Sequence, residues 1–125
     1  MRHYRVTLAD ALEAHEDSLE IGGGRHGLSS LSSLEGALGR PYHGYHRRIW
    51  DKAAALLHGV ATSHGFTDGN KRTAFLLTCT MLDRSGYTLV PEPGDNIPDL
   101  MVDVVNGDVT QDQLVQWLRD RIQPF

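Results

Sequence analysis

The chain runs to 125 residues with 12 Lys plus Arg against 16 Asp plus Glu, a formal charge of -4 at pH 7. That length suits one domain, residues 1–125, burying a core without staples, and leaves no room for a second. The mildly acidic balance argues against direct nucleic-acid binding, and the lone Cys79 excludes an internal disulfide and suits a reducing compartment. No apolar run follows Met1 or approaches the roughly 20 residues of a membrane span, so a cytoplasmic protein without a membrane partner is expected.

Leu8, Leu12, His15 and Leu19 recur at helical spacing, with Thr7 and Asp10 as a cap and Val6 behind them, which predicts a first helix. His15 falls on its apolar face and reads as a hydrogen-bonded structural histidine. The three glycines at 22–24 end that helix. Leu28, Leu31, Leu34 and Leu38 predict a shorter second helix, capped by Ser29 or Ser30 and closed by Gly39 and Pro41. Segment 40–52 interleaves Arg40, His43, His46, Arg47, Arg48 and Lys52 with Tyr42 and Tyr45. It reads either as a solvated loop entering a helix or as a docking surface for a partner, with Tyr42, His43, Tyr45 and Arg47 as its candidates. His43 and His46 have a metal-like spacing but no acidic or cysteine partner beside them, so no zinc site is expected.

Ile49, Ala53, Leu56, Leu57 and Val60 define an Ala-rich third helix of roughly 16 residues whose C-terminus delivers His64. Residues 70–84 are apolar on nearly every side, which makes the next helix the central one and Cys79 a core residue rather than a nucleophile. Ser85 and Gly86 end it, and 87–90 are briefly extended before a Pro- and Gly-rich loop. Asn96 and Pro98 start a helix bearing Ile97, Leu100, Met101, Val104 and Val105, with Gly107 at its end. Thr110 and Gln113 form a capping box, Val109 and Leu114 a hydrophobic staple, and Leu114, Trp117, Leu118 and Ile122 the buried face of the last helix. The sum is a compact all-α bundle of about six helices around a central buried one.

The chemistry concentrates in residues 64–72, which read His64, Gly65, Phe66, Thr67, Asp68, Gly69, Asn70, Lys71, Arg72. A helix beginning near Asn70 turns its free N–H groups and positive dipole end toward residues 65–69, an anion site. Lys71 and Arg72 in its first turn oppose the dipole, a placement that makes sense when a phosphate chain neutralises them. Asp68 adds a hard oxygen ligand for magnesium bridging phosphates, and His64 an imidazole able to accept a hydroxyl proton near neutral pH. Phe66 anchors the loop in the core, while Asn70 caps the helix or holds the loop closed. The stretch is not a Walker loop: counted from Gly65, the second glycine and the hydroxyl residue would fall at Asn70 and Arg72, and a helix rather than a strand precedes it.

The run from His64 through Ala74 resembles the signature of the Fic/Doc family, and within it the death-on-curing toxin branch. The likeness extends from His15 through Gly27, Leu28, Leu34 and Glu35 to Leu82, Gly86 and Tyr87. Most Fic proteins are adenylyltransferases with Gly in place of Lys71 and a second Arg in place of Phe75, and both departures are shared with the Doc branch. The resemblance therefore implies a toxin kinase that binds ATP with Mg2+ in reversed orientation and passes the γ-phosphate to a threonine of elongation factor Tu. It implies His64 as general base, Asp68 as magnesium ligand, Lys71 and Arg72 as phosphate-holding catalytic residues, and Gly69 and Asn70 as shapers of the anion hole.

Two departures qualify it. The Doc branch carries an Arg where Thr62 stands, which leaves Arg47, Arg48 and Lys52 as candidate substitutes. The family's autoinhibitory pattern fails because Leu31 stands where Ser or Thr should precede Glu35 and Gly36, so restraint is expected from an antitoxin that lays a segment into a surface groove. The alternatives are an adenylyltransferase on the same fold and a silent binding module. A ribonuclease using His64 and Lys71 lacks the basic footprint.

Overall fold

The computed structural model describes residues 2–44 and 46–125. Its helices are α1 (Leu8–Gly22), α2 (Leu31–Gly39), α3 (Ile49–Thr62), α4 (Asn70–Arg84), α5 (Ile97–Asn106) and α6 (Gln111–Arg119), with a 3-10 turn at Arg40–Tyr42. Two short strands, β1 (Tyr87–Leu89) and β2 (Ile122–Pro124), pair antiparallel with Thr88 opposite Gln123. The architecture is all-α with that one ribbon, as the sequence predicts. Among the described residues no helix is long and apolar enough to cross a membrane.

Local chemistry accounts for the helix starts. Thr7 Oγ1 accepts from the Asp10 N–H at 3.1 Å while Asp10 Oδ2 accepts from the Thr7 N–H at 2.9 Å, a reciprocal cap on α1. Thr110 and Gln113 repeat that arrangement on α6. Ser30 caps α2 and Asn96 caps α5 through the N–H groups three residues on. Each cap contributes on the order of 1 kcal/mol by satisfying donors that the helix leaves unpaired.

The core sits between α3 and α4. Ala53, Ala54, Ala55, Leu56, Leu57 and Val60 bury nearly the whole surface of α3, whose neighbours include α2, α4 and α6. α4 packs on α1, α3 and α5, with Ala74, Leu77, Met81 and Leu82 inside. Fully burying one Leu contributes about 1.5–3 kcal/mol, so these two helices carry much of the stabilising area. The α3–α4 connection is therefore a loop held between the two best-anchored elements of the fold.

Three sequence expectations need correction. Leu12 is 41% exposed, and Ala11 and Ala14 take the inner face of α1. Leu28 precedes α2 rather than joining it, and Leu31 is also exposed, leaving Leu34, Ala37 and Leu38 as the buried positions of that helix. Ile122 belongs to β2 opposite Leu89, not to α6. Arg121 explains this last difference: its guanidinium donates to the Trp117 carbonyl at 3.0 Å and grips Asp95 through Nε at 2.6 Å and Nη2 at 2.9 Å. One side chain thus satisfies a terminal helix carbonyl and draws the chain toward the 90–96 loop.

Candidate active site

The α3–α4 loop is built by backbone contacts that begin at its first residue. His64 has φ 52°, the one non-glycine among the described residues in the left-handed region, and its exposed ring stands at the loop's entrance. Gly65 follows because a Cβ there would lie 2.8 Å from Leu34 Cβ. Its carbonyl accepts from the Ser29 and Ser30 N–H groups at 2.9 and 3.1 Å, and the Thr67 N–H donates to Gly27 O at 2.9 Å. Leu28 and Phe66 form an antiparallel bridge at the centre of these contacts. The 22–30 segment is thereby stitched alongside the loop.

Phe66 is 2% exposed and stacks on His15, ring centroids 3.9 Å apart and planes 7° from parallel. His15 Nε2 lies 2.8 Å from the Asp68 carbonyl oxygen. A carbonyl only accepts, so Nε2 carries the proton. The structural reading of His15 holds, and its structure is that of the site. Asn70 clasps Phe66 from the other side, accepting from the Phe66 N–H at 3.0 Å and donating to its carbonyl at 2.9 Å. Of the two roles open to Asn70, it therefore takes that of holding the loop closed.

Gly69, at φ 77°, turns the chain into α4 with no side-chain cap. The first N–H groups of α4 have no intrahelical acceptor and carry the positive end of its dipole. Beside them the exposed Asp68 carboxylate accepts from the Arg25 N–H at 3.2 Å and the Gly69 N–H at 2.9 Å. These two backbone bonds, aided by the charges of Arg25 and Arg72, hold its carboxyl below the usual carboxylate range. Asp68 is thus an anion fixed in place with lone pairs still facing solvent.

The two cations of the first turn part company. Lys71 is exposed, with no ion pair among the described residues. Arg72 Nη1 instead donates to Ser18 O at 2.6 Å and Gly23 O at 3.3 Å, closing the carboxyl end of α1. Its guanidinium lies so close over Gly22 that any Cβ there would run into it. Thr73 Oγ1 donates to Ser18 Oγ, which donates to His15 O, tying the same turn of α4 to α1. A cavity of about 280 Å³ extends from Asp68, Lys71 and Arg72 toward an apolar wall of Phe75, Ile97 and Met101.

Asp68, Gly69, Lys71 and Arg72 line this cavity, while His64, Phe66 and Asn70 stand beside them in the chain without lining it. Tyr42 is half-buried, its hydroxyl donating to Tyr4 O at 2.9 Å and accepting from the Val6 N–H at 2.8 Å, so it pins the N-terminal segment rather than presenting a docking group. His43 and Arg47 are exposed, and Tyr45 lies outside the described residues. Arg48 stands over the Trp50 ring and Lys52 Nζ is 2.8 Å from His3 Nδ1. Both lie near the start of α3, while Thr62 ends it, so neither replaces a cation at Thr62. The Thr62 hydroxyl itself donates to His58 O at 2.7 Å. Sequence reasoning missed Ser18, Gly22, Gly24 and Arg25; three successive glycines were the signal, since such runs mark close backbone approach as well as helix ends.

The model of the Fic/DOC family matches residues 5–82. The chain is also 37% identical over 113 residues to the Toxin Doc of Mycolicibacterium smegmatis (strain ATCC 700084 / mc(2)155), a match covering 82% of this chain and 87% of that protein. With the family model spanning more than half of its length and a relative this similar, the chain belongs to the Fic/Doc family.

Proposed function

We propose that this protein is a Doc-type toxin: a protein kinase that passes the γ-phosphate of ATP to a threonine or serine hydroxyl of a translation factor, elongation factor Tu by resemblance, and so arrests translation. The observation that carries the reading is the arrangement at the start of α4, where an ionised carboxylate, an uncapped helix N-terminus and Lys71, which makes no ion pair among the described residues, surround one opening at the end of the loop that His64 begins. Such a site stabilises charge on a phosphoryl group in flight. The name of the relative, Toxin Doc, supports the toxin role.

His64 takes the proton of the acceptor hydroxyl, whose oxygen forms the new bond to the γ-phosphorus. The bond from that phosphorus to the β–γ bridging oxygen breaks, and ADP leaves. Lys71 and the α4 N–H groups hold the phosphate oxygens, and Arg72 keeps α1 and the loop in register beside them. Magnesium takes one or two carboxylates together with substrate phosphates and water, so Asp68 fits as its single protein ligand. Bound there, such an ion would supply neutralisation of phosphate charge. A cognate antitoxin restrains the activity. The groove of about 380 Å³ between α1 and α4 is bordered by Arg84, which pairs with Asp10, and by Glu13, Asp17 and Asp83, whose surplus negative charge suits a segment that carries basic residues.

Incubation with Mg2+ and ATP labelled at α or γ, with a bacterial translation extract as acceptor, tests the reading. Label from γ alone supports the kinase. Label from α reassigns the protein as an adenylyltransferase, and no transfer from either leaves a binding module. His64→Ala is expected to lose about 100-fold or more of the transfer rate, the weight of a general base, while still binding nucleotide.

A further inference from the structure

The 22–30 segment holds a charged group that none of these roles uses. The Arg25 N–H donates to Asp68 Oδ2 at 3.2 Å, which pins the Arg25 backbone to the rim of the carboxylate. Gly24, at φ 123°, brings the chain in so closely that a Cβ on it would lie 2.9 Å from the same oxygen. The Arg25 side chain is exposed and makes no hydrogen bond or ion pair among the described residues, yet its charge is felt at Asp68. Its neighbour His26 stands 3.4 Å from Glu16. An ordinary surface arginine is solvated on a free loop. This one is anchored at its backbone against the site's one carboxylate, with its guanidinium unspent.

Charge balance gives that guanidinium a task. Arg72 spends Nη1 on the carbonyls of Ser18 and Gly23, and Thr62 at the end of α3 is uncharged, its hydroxyl already donated to His58 O. A polyphosphate carries several negative charges, and Lys71 is left as the single unpaired cation on α4 facing it. We propose that Arg25 is a further phosphate-binding residue, reaching the polyphosphate chain from the 22–30 segment while Lys71 holds it from α4. A guanidinium suits this position because its planar donors grip two phosphate oxygens at once. The inference rests on reading residues 64–72 as a phosphate site, but not on which phosphorus is transferred.

Calorimetric titration of the full chain with tripolyphosphate, alongside steady-state transfer from ATP, tests it on Arg25→Gln and Arg25→Lys. Arg25→Gln is expected to bind tripolyphosphate about tenfold more weakly, the weight of one charge-assisted contact, and to raise the KM for ATP by a similar factor with kcat nearly unchanged. Arg25→Lys should recover part of the loss, which a merely structural role would not give. The melting temperature should hold, since the backbone bond to Asp68 survives both changes. Equal tripolyphosphate affinity in Arg25→Gln and wild type overturns the proposal and leaves the phosphate site standing. A wild type that binds no tripolyphosphate overturns both. Weakened binding in Arg25→Gln without transfer of either label upholds Arg25 and overturns the transferase reading alone.

Discussion

At the scale of single residues, the site is held by contacts between side chains and backbone carbonyls, and these decide which residues tolerate change. Gly22 is occupied from outside by the Arg72 guanidinium. Gly22→Ala is expected to expel Arg72 from the Ser18 and Gly23 carbonyls and lower the transfer rate at least tenfold, with helical content by circular dichroism intact; retained activity would show that Arg72 needs no such seat. Asn70 presents both halves of its amide to Phe66. Asn70→Ala leaves a partly buried N–H and carbonyl unpaired and is expected to cost about 1–3 kcal/mol in urea unfolding. The proposed anion site in residues 64–72 was legible in the sequence because its residue types and spacing lie in local order. The turning of Arg72 toward α1 was not, because its acceptors are main-chain carbonyls some fifty positions earlier, and a carbonyl leaves no mark on a sequence.

At the scale of elements, caps and apolar periodicity were legible wherever a helix finds its own partners locally. Thr7 with Asp10, Ser30, Asn96, and Thr110 with Gln113 all cap where the sequence places them. Ile122 misled because its spacing continues the α6 stripe, whereas the helix is ended by Arg121 reaching Asp95 across the fold. The 22–30 segment is the other long-range case, a flank of the α3–α4 loop that pattern alone does not reveal. His15 joins α1 to that loop through the Phe66 stack and the Asp68 carbonyl. His15→Ala is expected to lose about 2–4 kcal/mol, combining a buried ring with an orphaned carbonyl, and to slow transfer although the residue touches no substrate. Urea unfolding in parallel with the labelled transfer assay separates the two effects.

At the scale of the molecule, the ionisable groups set how stability follows pH. Burial lowers His58, with Arg40 adding to it, and burial with Lys52 lowers His3. For a lowered histidine the unfolded chain takes up the proton first, so its contribution is present above the ordinary histidine value of 6.5 and is lost as pH falls through the native value. Asp68 and Asp95 are lowered, Asp68 by backbone hydrogen bonds and Asp95 by Arg121. Asp10 is lowered too: burial pushes it up, but the bonds from Tyr4 and Thr7 and the Arg84 charge outweigh that. These contributions are present above the ordinary aspartate value of 3.8 and are lost as pH falls through the lower native values. A scan of melting temperature against pH should therefore decline first below 6.5 and again below 3.8, and His58→Gln should shrink the first step. Cys79 adds a check on packing. Burial pushes its thiol up to about 11, so alkylation near neutral pH should be slow in the native protein and rapid once it unfolds.

The central claim is that residues 64–72 hold ATP so that the γ-phosphorus faces His64. Phosphorus NMR of the protein, Mg2+, ATP and its protein acceptor reads this directly from the products. The account expects ADP to accumulate together with a phosphoester on the acceptor, and no pyrophosphate. Pyrophosphate with an adenylylated acceptor would contradict it.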